Sequence, residues 1–513
     1  MPARSAAAGP DRIRRIAIVG GGTAGWMTAS ILARALPGSN AWITVVESPD
    51  IGTVGVGEAT IPPFLDLLRF LSINEADFIR HTQATFKLGI KFTDWMERGG
   101  SYWHPFGTFG ESINRRPFHH AWHRARAAGL APRLSDFSLC AALGDAGRFR
   151  FTDAAAAGPV AGLRYALHFD AALVARYLRS YAEQLGVLCL QRTVTAATQA
   201  ADGFLEELVM SDGSRVAADL FIDCSGFRGL LIGQSLKTGY IDWREQLPCD
   251  RAVAVQTGLG ATRPPYTEST AHGAGWRWRI PLQERIGNGS VYSSAHISDQ
   301  QALDDLIKSL PERPSTVPRV LKFVAGRRRL VWNRNCVAIG LASGFLEPLE
   351  STSIHLIISG VFRLLEFFPD TAFEQRNIDA YNAESIDEIE SIRDFIVLHY
   401  CLTQRRDTPF WVHCASLPLT DSLRQRIELY RETGRLRIKA GELFTDASWF
   451  YILEGMGVRP QRTDPLLDVV DPRQLSGMLE TLSRAVATAA ADSPSHDSFF
   501  NDPRSALCSG ASS

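Results

Sequence analysis

The stretch "EPLESTSIHL", residues 347 to 356, sets Glu347 and Glu350 ahead of three hydroxyl residues and an apolar run that predicts a helix starting near Thr352. Free amides and the positive dipole end at a helix start attract anions, and a neighbouring carboxylate can act as a base or steady a positive charge. Ser351, Thr352 and Ser353 are equally the residue types that cap helices, and Glu350 an acid of the kind the first turn favours. A second stretch, "ATFKLGIKFTDW", alternates Phe86, Leu88, Ile90 and Phe92 with Lys87, Gly89, Lys91 and Thr93. That is a strand with lysines on its polar face, and the pattern does not choose between Lys87 and Lys91. In "WRWRIP" an extended backbone puts Trp276 and Trp278 on one face and Arg277 and Arg279 on the other, and Pro281, lacking an amide hydrogen, ends the pairing. In "FHHAWHRARAAG", His119 and His123 could share a helix face, but His120 stands where a zinc protease would need a glutamate, so no metal site is assigned.

These residues need a frame, and the N-terminal region supplies one. "RRIAIVGGGTAGWMTASILARAL" passes from a β-rich run through glycines into a helix, and "AWITVVES" adds a second strand ending at Glu47. Gly20, Gly22 and Gly25 fit the G-x-G-x-x-G turn of a βαβ dinucleotide-binding unit, which runs through Thr23 and Ala24. Glu47 stands where an acid would hydrogen-bond an adenosine ribose. Further on, Asp170 begins a helix that ends at Gly186, a hairpin turns at Asp212-Gly213, and a strand ends in Asp223-Cys224-Ser225-Gly226, as in the returning strand of flavin-binding proteins. The expected class is α/β: a discontinuous Rossmann-like dinucleotide-binding domain over 13–365, interrupted by substrate-region segments near 87–160 and 240–330. A β-rich insertion, a mostly helical C-terminal substrate region over 366–490, and disordered ends at 1–12 and 491–513 complete the expectation.

A chain of 513 residues, 45% hydrophobic, can bury a large core. A formal net charge of -1 and no long Lys/Arg run argue against nucleic acid or a membrane surface as partner. The eight cysteines have no metal-clip or redox spacing, no stretch can span a membrane, and residues 1–12 carry no apolar signal run, so a reduced cytoplasmic protein is expected.

Together the motifs "GGGTAGW" (20–26), "GVGEATIP" (55–62), "FKLGIK" (86–91), "WRWRIP" (276–281) and "EPLESTS" (347–353) resemble those of the flavin-dependent halogenase family, the group containing the tryptophan halogenases, over about Arg15 to Gly457. The resemblance implies the GR2, hydroxylase-type flavoprotein fold, with FAD held by Gly20, Gly22, Thr23, Ala24, Gly25, Glu47, Ala59, Thr60 and Leu346. It implies that reduced FAD comes from a separate NAD(P)H-dependent flavin reductase, in keeping with the single G-x-G-x-x-G motif, and that the protein is a monomer or homodimer. It implies further that halide at the amides of Thr352 and Ser353 is oxidised to hypohalous acid, which passes to Lys87, the lysine selected by the resemblance. Desolvation there would lower the pKa and expose the nucleophilic amine. Glu350 would orient the electrophile and stabilise or deprotonate the cationic ring. Trp276 and Trp278 would wall the flavin side off from the substrate, while His104, Pro105, Phe106 and Phe444 would line the substrate site.

The sequence departs from tryptophan halogenases in lacking the paired tyrosines and the glutamate that hold the amino-acid end of tryptophan; Lys439 falls near that glutamate's place. Indole or an indole derivative is therefore the expected substrate. Ser353 replaces the usual glycine, which would strain a backbone that needed positive φ, and the halide is expected to be bromide or chloride. Alternative readings are an FAD-dependent aromatic monooxygenase, which needs neither Lys87, Glu350 nor the tryptophan wall, and a non-catalytic flavin-binding protein.

Overall fold

The computed structural model describes residues 12–38, 41–50, 57–153, 155–156 and 158–501. The expected disorder of 1–12 lies outside these residues except at Arg12, and Gly55 and Val56 of the "GVGEATIP" motif lie outside them too.

A six-stranded sheet forms the nucleotide-binding half. Its centre is β1 (Arg15–Val19), flanked in parallel by β2 (Trp42–Glu47) and by the strand Leu220–Asp223. Strand β8 (Leu188–Gln191) extends it beyond β2, and Cys336–Ala338 followed by Trp332–Asn333 extends the other side. Helix α1 (Thr23–Ala35) leaves β1 through the glycine turn and packs on the helix Ala171–Gln184, whose first amides are capped by Asp170. Apolar runs such as Ile16 to Val19 suit a parallel sheet buried on both faces.

The interrupting segments assemble into a seven-stranded sheet, in the order Arg319–Lys322, Arg251–Gly258, Arg285–Tyr292, Gly275–Pro281, Thr267–His272, β5 (Gly89–Thr93) and β6 (Ser101–Pro105). A separate three-stranded sheet has the order β3 (Gly57–Ala59), β7 (Ala166–Asp170) and β4 (Thr85–Lys87), with β3 against Gly275–Pro281 and Arg285–Tyr292 of the seven-stranded sheet. The "FKLGIK" run is thus two strands in two sheets. Lys87 pairs with Ala166 and Gly89 with Pro105, while the Leu88 amide bonds to the Pro265 carbonyl at 2.8 Å. The break also divides two hydrophobic cores, Leu88 belonging to the first and Ile90 to the second.

The C-terminal region is helical, led by Ser353–Glu366 and the long Gln375–Cys401. Its end corrects the expectation of disorder for 491–501, while 502–513 of that expected tail lie outside the described residues. The helix Pro472–Ala491 is followed by an ordered segment through Asn501, in which His496 and Phe499 are buried. Phe499 meets the Phe86 and Phe149 rings at 5.6 and 5.4 Å, and Asp497 pairs with Arg263 at 2.8 Å. Polar composition concealed two aromatic anchors.

Candidate active site

The glycine turn has the shape of a phosphate cradle. Gly20 has φ +118°, and a Cβ there would lie 2.3 Å from the Cys224 carbonyl oxygen. A Cβ on Gly25 would lie 1.8 Å from the Gly20 carbonyl oxygen, whereas a Cβ on Gly22 would meet nothing within 4 Å. Two glycines are required by the fold, and the third leaves open space in front of a helix that no side chain caps. Glu47 closes the side of the turn, with Oε1 accepting from Arg179 Nη1 at 2.6 Å and Oε2 from Trp26 Nε1 at 3.3 Å. These features fit the pyrophosphate and ribose of a dinucleotide. Ala59 ends β3 and packs with Trp278, Thr60 follows it, and Leu346 is buried.

Lys87 is not a surface lysine. It is completely buried, and its Nζ donates to the Thr60 carbonyl at 2.9 Å and to Ser351 Oγ at 2.8 Å, 5.2 Å from the centre of the Phe106 ring. Burial lowers its pKa to about 7, against a partial opposing pull from Glu350. Lys91 instead pairs with Asp145 at 2.7 Å, part-exposed.

Glu350 is equally buried. Its Oε2 accepts from His104 Nδ1 at 2.7 Å, and its Oε1 lies 2.8 Å from His399 Nε2, whose Nδ1 meets the Tyr102 hydroxyl at 2.9 Å. Burial alone would raise this carboxyl, but the two imidazoles outweigh it and hold it down to about 2. Glu350 is therefore an anion at neutral pH inside an aromatic chamber. His104 lies 5.9 Å from the Phe444 ring, and Phe395 stacks on Phe444 at 3.8 Å. Pro105 and Phe106 continue the strand, the Phe106 amide bonding to the Leu88 carbonyl at 2.9 Å.

Thr352 is the N-cap of the helix Ser353–Glu366, and no side chain caps it. The hydroxyl residues before this helix are thus not side-chain caps, and Ser351 is engaged by Lys87. Positive φ falls at Ser351, +60°, rather than at Ser353, which begins the helix, so serine at 353 costs no left-handed strain. Trp276 and Trp278 share a face with ring centroids 6.1 Å apart; Trp276 is buried and Trp278 part-exposed. Lys439 pairs with Asp387 at 2.9 Å and is largely exposed.

Sequence reasoning missed His399, Tyr102 and Phe395. A lone histidine in "FIVLHYC" reads as a core residue, and no spacing linked it to Glu350. The alternation of "SYWHP" is the signal that could have found Tyr102, since it sets Tyr102 and His104 on one strand face.

A glycine turn of dinucleotide-binding shape, together with a buried amine on Thr60 and Ser351 and a buried carboxylate on His104, marks a dinucleotide-dependent enzyme. Comparison with known proteins gives the family. The tryptophan halogenase family model matches residues 15–472. The chain is 34% identical over 497 residues to a tryptophan 6-halogenase of Streptomyces albogriseolus, covering 89% of this chain and 92% of that one. Its fold superposes with TM-score 0.92 on a flavin-dependent halogenase from Brevundimonas sp. BAL3, 44% identical, over 95% of this chain and 99% of that one. A flavin-dependent halogenase from Xanthomonas campestris gives TM-score 0.91 and 45% identity over 95% and 98% of the two chains. The protein belongs to the tryptophan halogenase family of flavin-dependent enzymes.

Proposed function

We propose that the protein is a halogenase of an electron-rich aromatic carbon, using FADH2, oxygen and bromide or chloride, with indole or a simple indole derivative as substrate. The observation that carries this reading is the placement of Lys87: a buried amine between Thr60, beside the nucleotide-binding half, and Ser351, on the loop that holds Glu350. When bound and reduced by a separate NAD(P)H-dependent reductase, FAD supplies with oxygen the two-electron oxidation of halide to hypohalous acid, oxygen's second atom leaving as water. The amides of Thr352 and Ser353 hold the halide at the positive end of their helix. Lys87, with a pKa near neutrality, hydrogen-bonds the hypohalous acid or forms a haloamine with loss of water. The ring carbon then gains halogen and loses a proton. Glu350, held as an anion, faces the developing positive charge and is placed to direct that proton away. His104 and Phe444 flank the ring, and Trp276 and Trp278 keep it from the flavin side.

Indole is favoured over free tryptophan because one face of Phe444 is taken by Phe395, stacked at 3.8 Å, and because Lys439 is spent on a surface pair with Asp387. Identity is also higher to relatives described only as flavin-dependent halogenases than to the tryptophan 6-halogenase.

The test combines the protein with FAD, a flavin reductase, NADH, oxygen, equal bromide and chloride, and competing indole and tryptophan, read by mass spectrometry. A halogen isotope pattern on indole is expected and names the preferred halide. Halogen mainly on tryptophan refutes the substrate assignment, and an oxygenated product without halogen refutes the reaction in favour of a monooxygenase.

A further inference from the structure

Glu347 stands three residues before Glu350 and is just as buried, in the opposite electrostatic setting. Its Oε2 accepts two hydrogen bonds, from Trp276 Nε1 at 2.7 Å and from the Tyr400 hydroxyl at 2.6 Å. Its Oε1 is buried with no hydrogen-bond partner, and among the described residues no Lys, Arg or His side chain forms an ion pair with it. The titratable groups facing it are the Tyr400 hydroxyl and the thiols of Cys249 and Cys414, none of them a cation. An anion here would bear the desolvation cost of a buried carboxylate with two neutral donors as its only relief. Burial accordingly raises the Glu347 carboxyl to about 7, the two hydrogen bonds opposing it in part.

We propose that Glu347 is a positioning residue that, as the neutral acid, clamps the indole of Trp276 to the loop bearing Glu350, Thr352 and Ser353. What the clamped wall does for the reaction rests on the halogenase reading; the clamp itself does not. Oε2 is then the carbonyl oxygen that receives both donors, and Oε1 carries the proton. The clamp ties the strand Gly275–Pro281 to the 346–353 loop and to the helix Gln375–Cys401 through Tyr400, three elements far apart in sequence. Without it the Trp276 N–H and the Tyr400 hydroxyl lose their acceptor in a dry interior, and the indole is free to turn.

The test uses the full-length protein, Glu347→Gln, Glu347→Leu and Trp276→Phe. Glutamine offers one oxygen to both donors and an amide where the acid carries its proton. Wild-type minus Glu347→Gln infrared spectra, taken without flavin, should show a protonated carboxylic carbonyl that fades as pH rises through about 7. Near-ultraviolet circular dichroism of the tryptophans should be unchanged in Glu347→Gln and altered in Glu347→Leu. Halogenated product formed per reduced flavin consumed should stay within about twofold in Glu347→Gln and fall by about tenfold in Glu347→Leu, the scale of leaving buried donors unpaired. If Glu347→Leu does not fold, Trp276→Phe removes the donor of the same hydrogen bond while keeping a ring, and the same loss of coupling is expected. No carbonyl band overturns the neutral acid; a Glu347→Gln variant as impaired as Glu347→Leu overturns the clamp. Should the wild-type protein halogenate nothing, the functional reading falls, and the infrared and dichroism results still decide the clamp.

Discussion

Replacing Lys87 with Met should change how stability depends on pH, in a direction that burial dictates. Folding moves the Lys87 pKa from 10.5 to about 7. The folded state thus disfavours its ammonium, so the penalty is fully present below about pH 7 and is relieved as pH rises toward 10.5. At about 1.4 kcal/mol per pH unit for each proton bound only by the unfolded chain, the full penalty is about 5 kcal/mol. Between pH 7 and 9 the unfolded lysine stays protonated while the folded one passes from half to almost wholly neutral, which relieves about 2 kcal/mol. Urea unfolding of the flavin-free wild-type protein and Lys87→Met at pH 7, 8 and 9 measures this difference. Every other titrating group is common to both proteins except as Glu350 and His168 feel the Lys87 charge. Wild-type stability should rise relative to Lys87→Met across that range. Parallel pH curves would mean that Lys87 keeps its charge when folded, and the neutral-amine chemistry assigned to it would be lost.

Glu350→Gln preserves volume but removes the anion between His104 and His399; turnover should fall by about a hundredfold or more, with flavin affinity unchanged in a binding titration. Gly22→Ala should melt like the wild-type protein, because its Cβ meets nothing, yet bind FAD about tenfold or more weakly because that space is where the pyrophosphate approaches. Gly25→Ala should fail to fold, since its Cβ would collide with the Gly20 carbonyl; equal flavin affinity in Gly22→Ala and wild type would remove the cradle argument.

What could be read from residues alone followed the range over which each feature is decided. The glycine turn, Glu47 and the Asp170 cap were legible because they are set within a few residues by backbone geometry. The choice of Lys87 over Lys91 was invisible to alternation, because the strand breaks at Leu88 through a bond to Pro265, far along the chain. His399 was hidden for the same reason: its partner Glu350 arrives from another helix. The order of residues 491–501 was misread because Ser, Asp and Pro dominate the composition there, while the segment is held by the buried Ser493, His496 and Phe499. At the helix start the residue types suggested caps, and only the fold showed Ser351 turned left-handed toward Lys87.

The break at Leu88 has a consequence for how such a protein can change. Lys87 and the Ala59-Thr60 segment ride on the small sheet built into one hydrophobic core, whereas Phe395, Phe444 and Trp449 belong to the other. Substitutions at Phe395, Phe444 or Trp449 repack the second core, and their displacements need not pass through a continuous strand to reach the amine, whereas one at Phe106 repacks the first core beside Lys87. Repacking around Phe395, Phe444 and Trp449 can therefore reshape one side of the chamber while Lys87 stays registered to the small sheet, the two being decoupled at a single peptide unit.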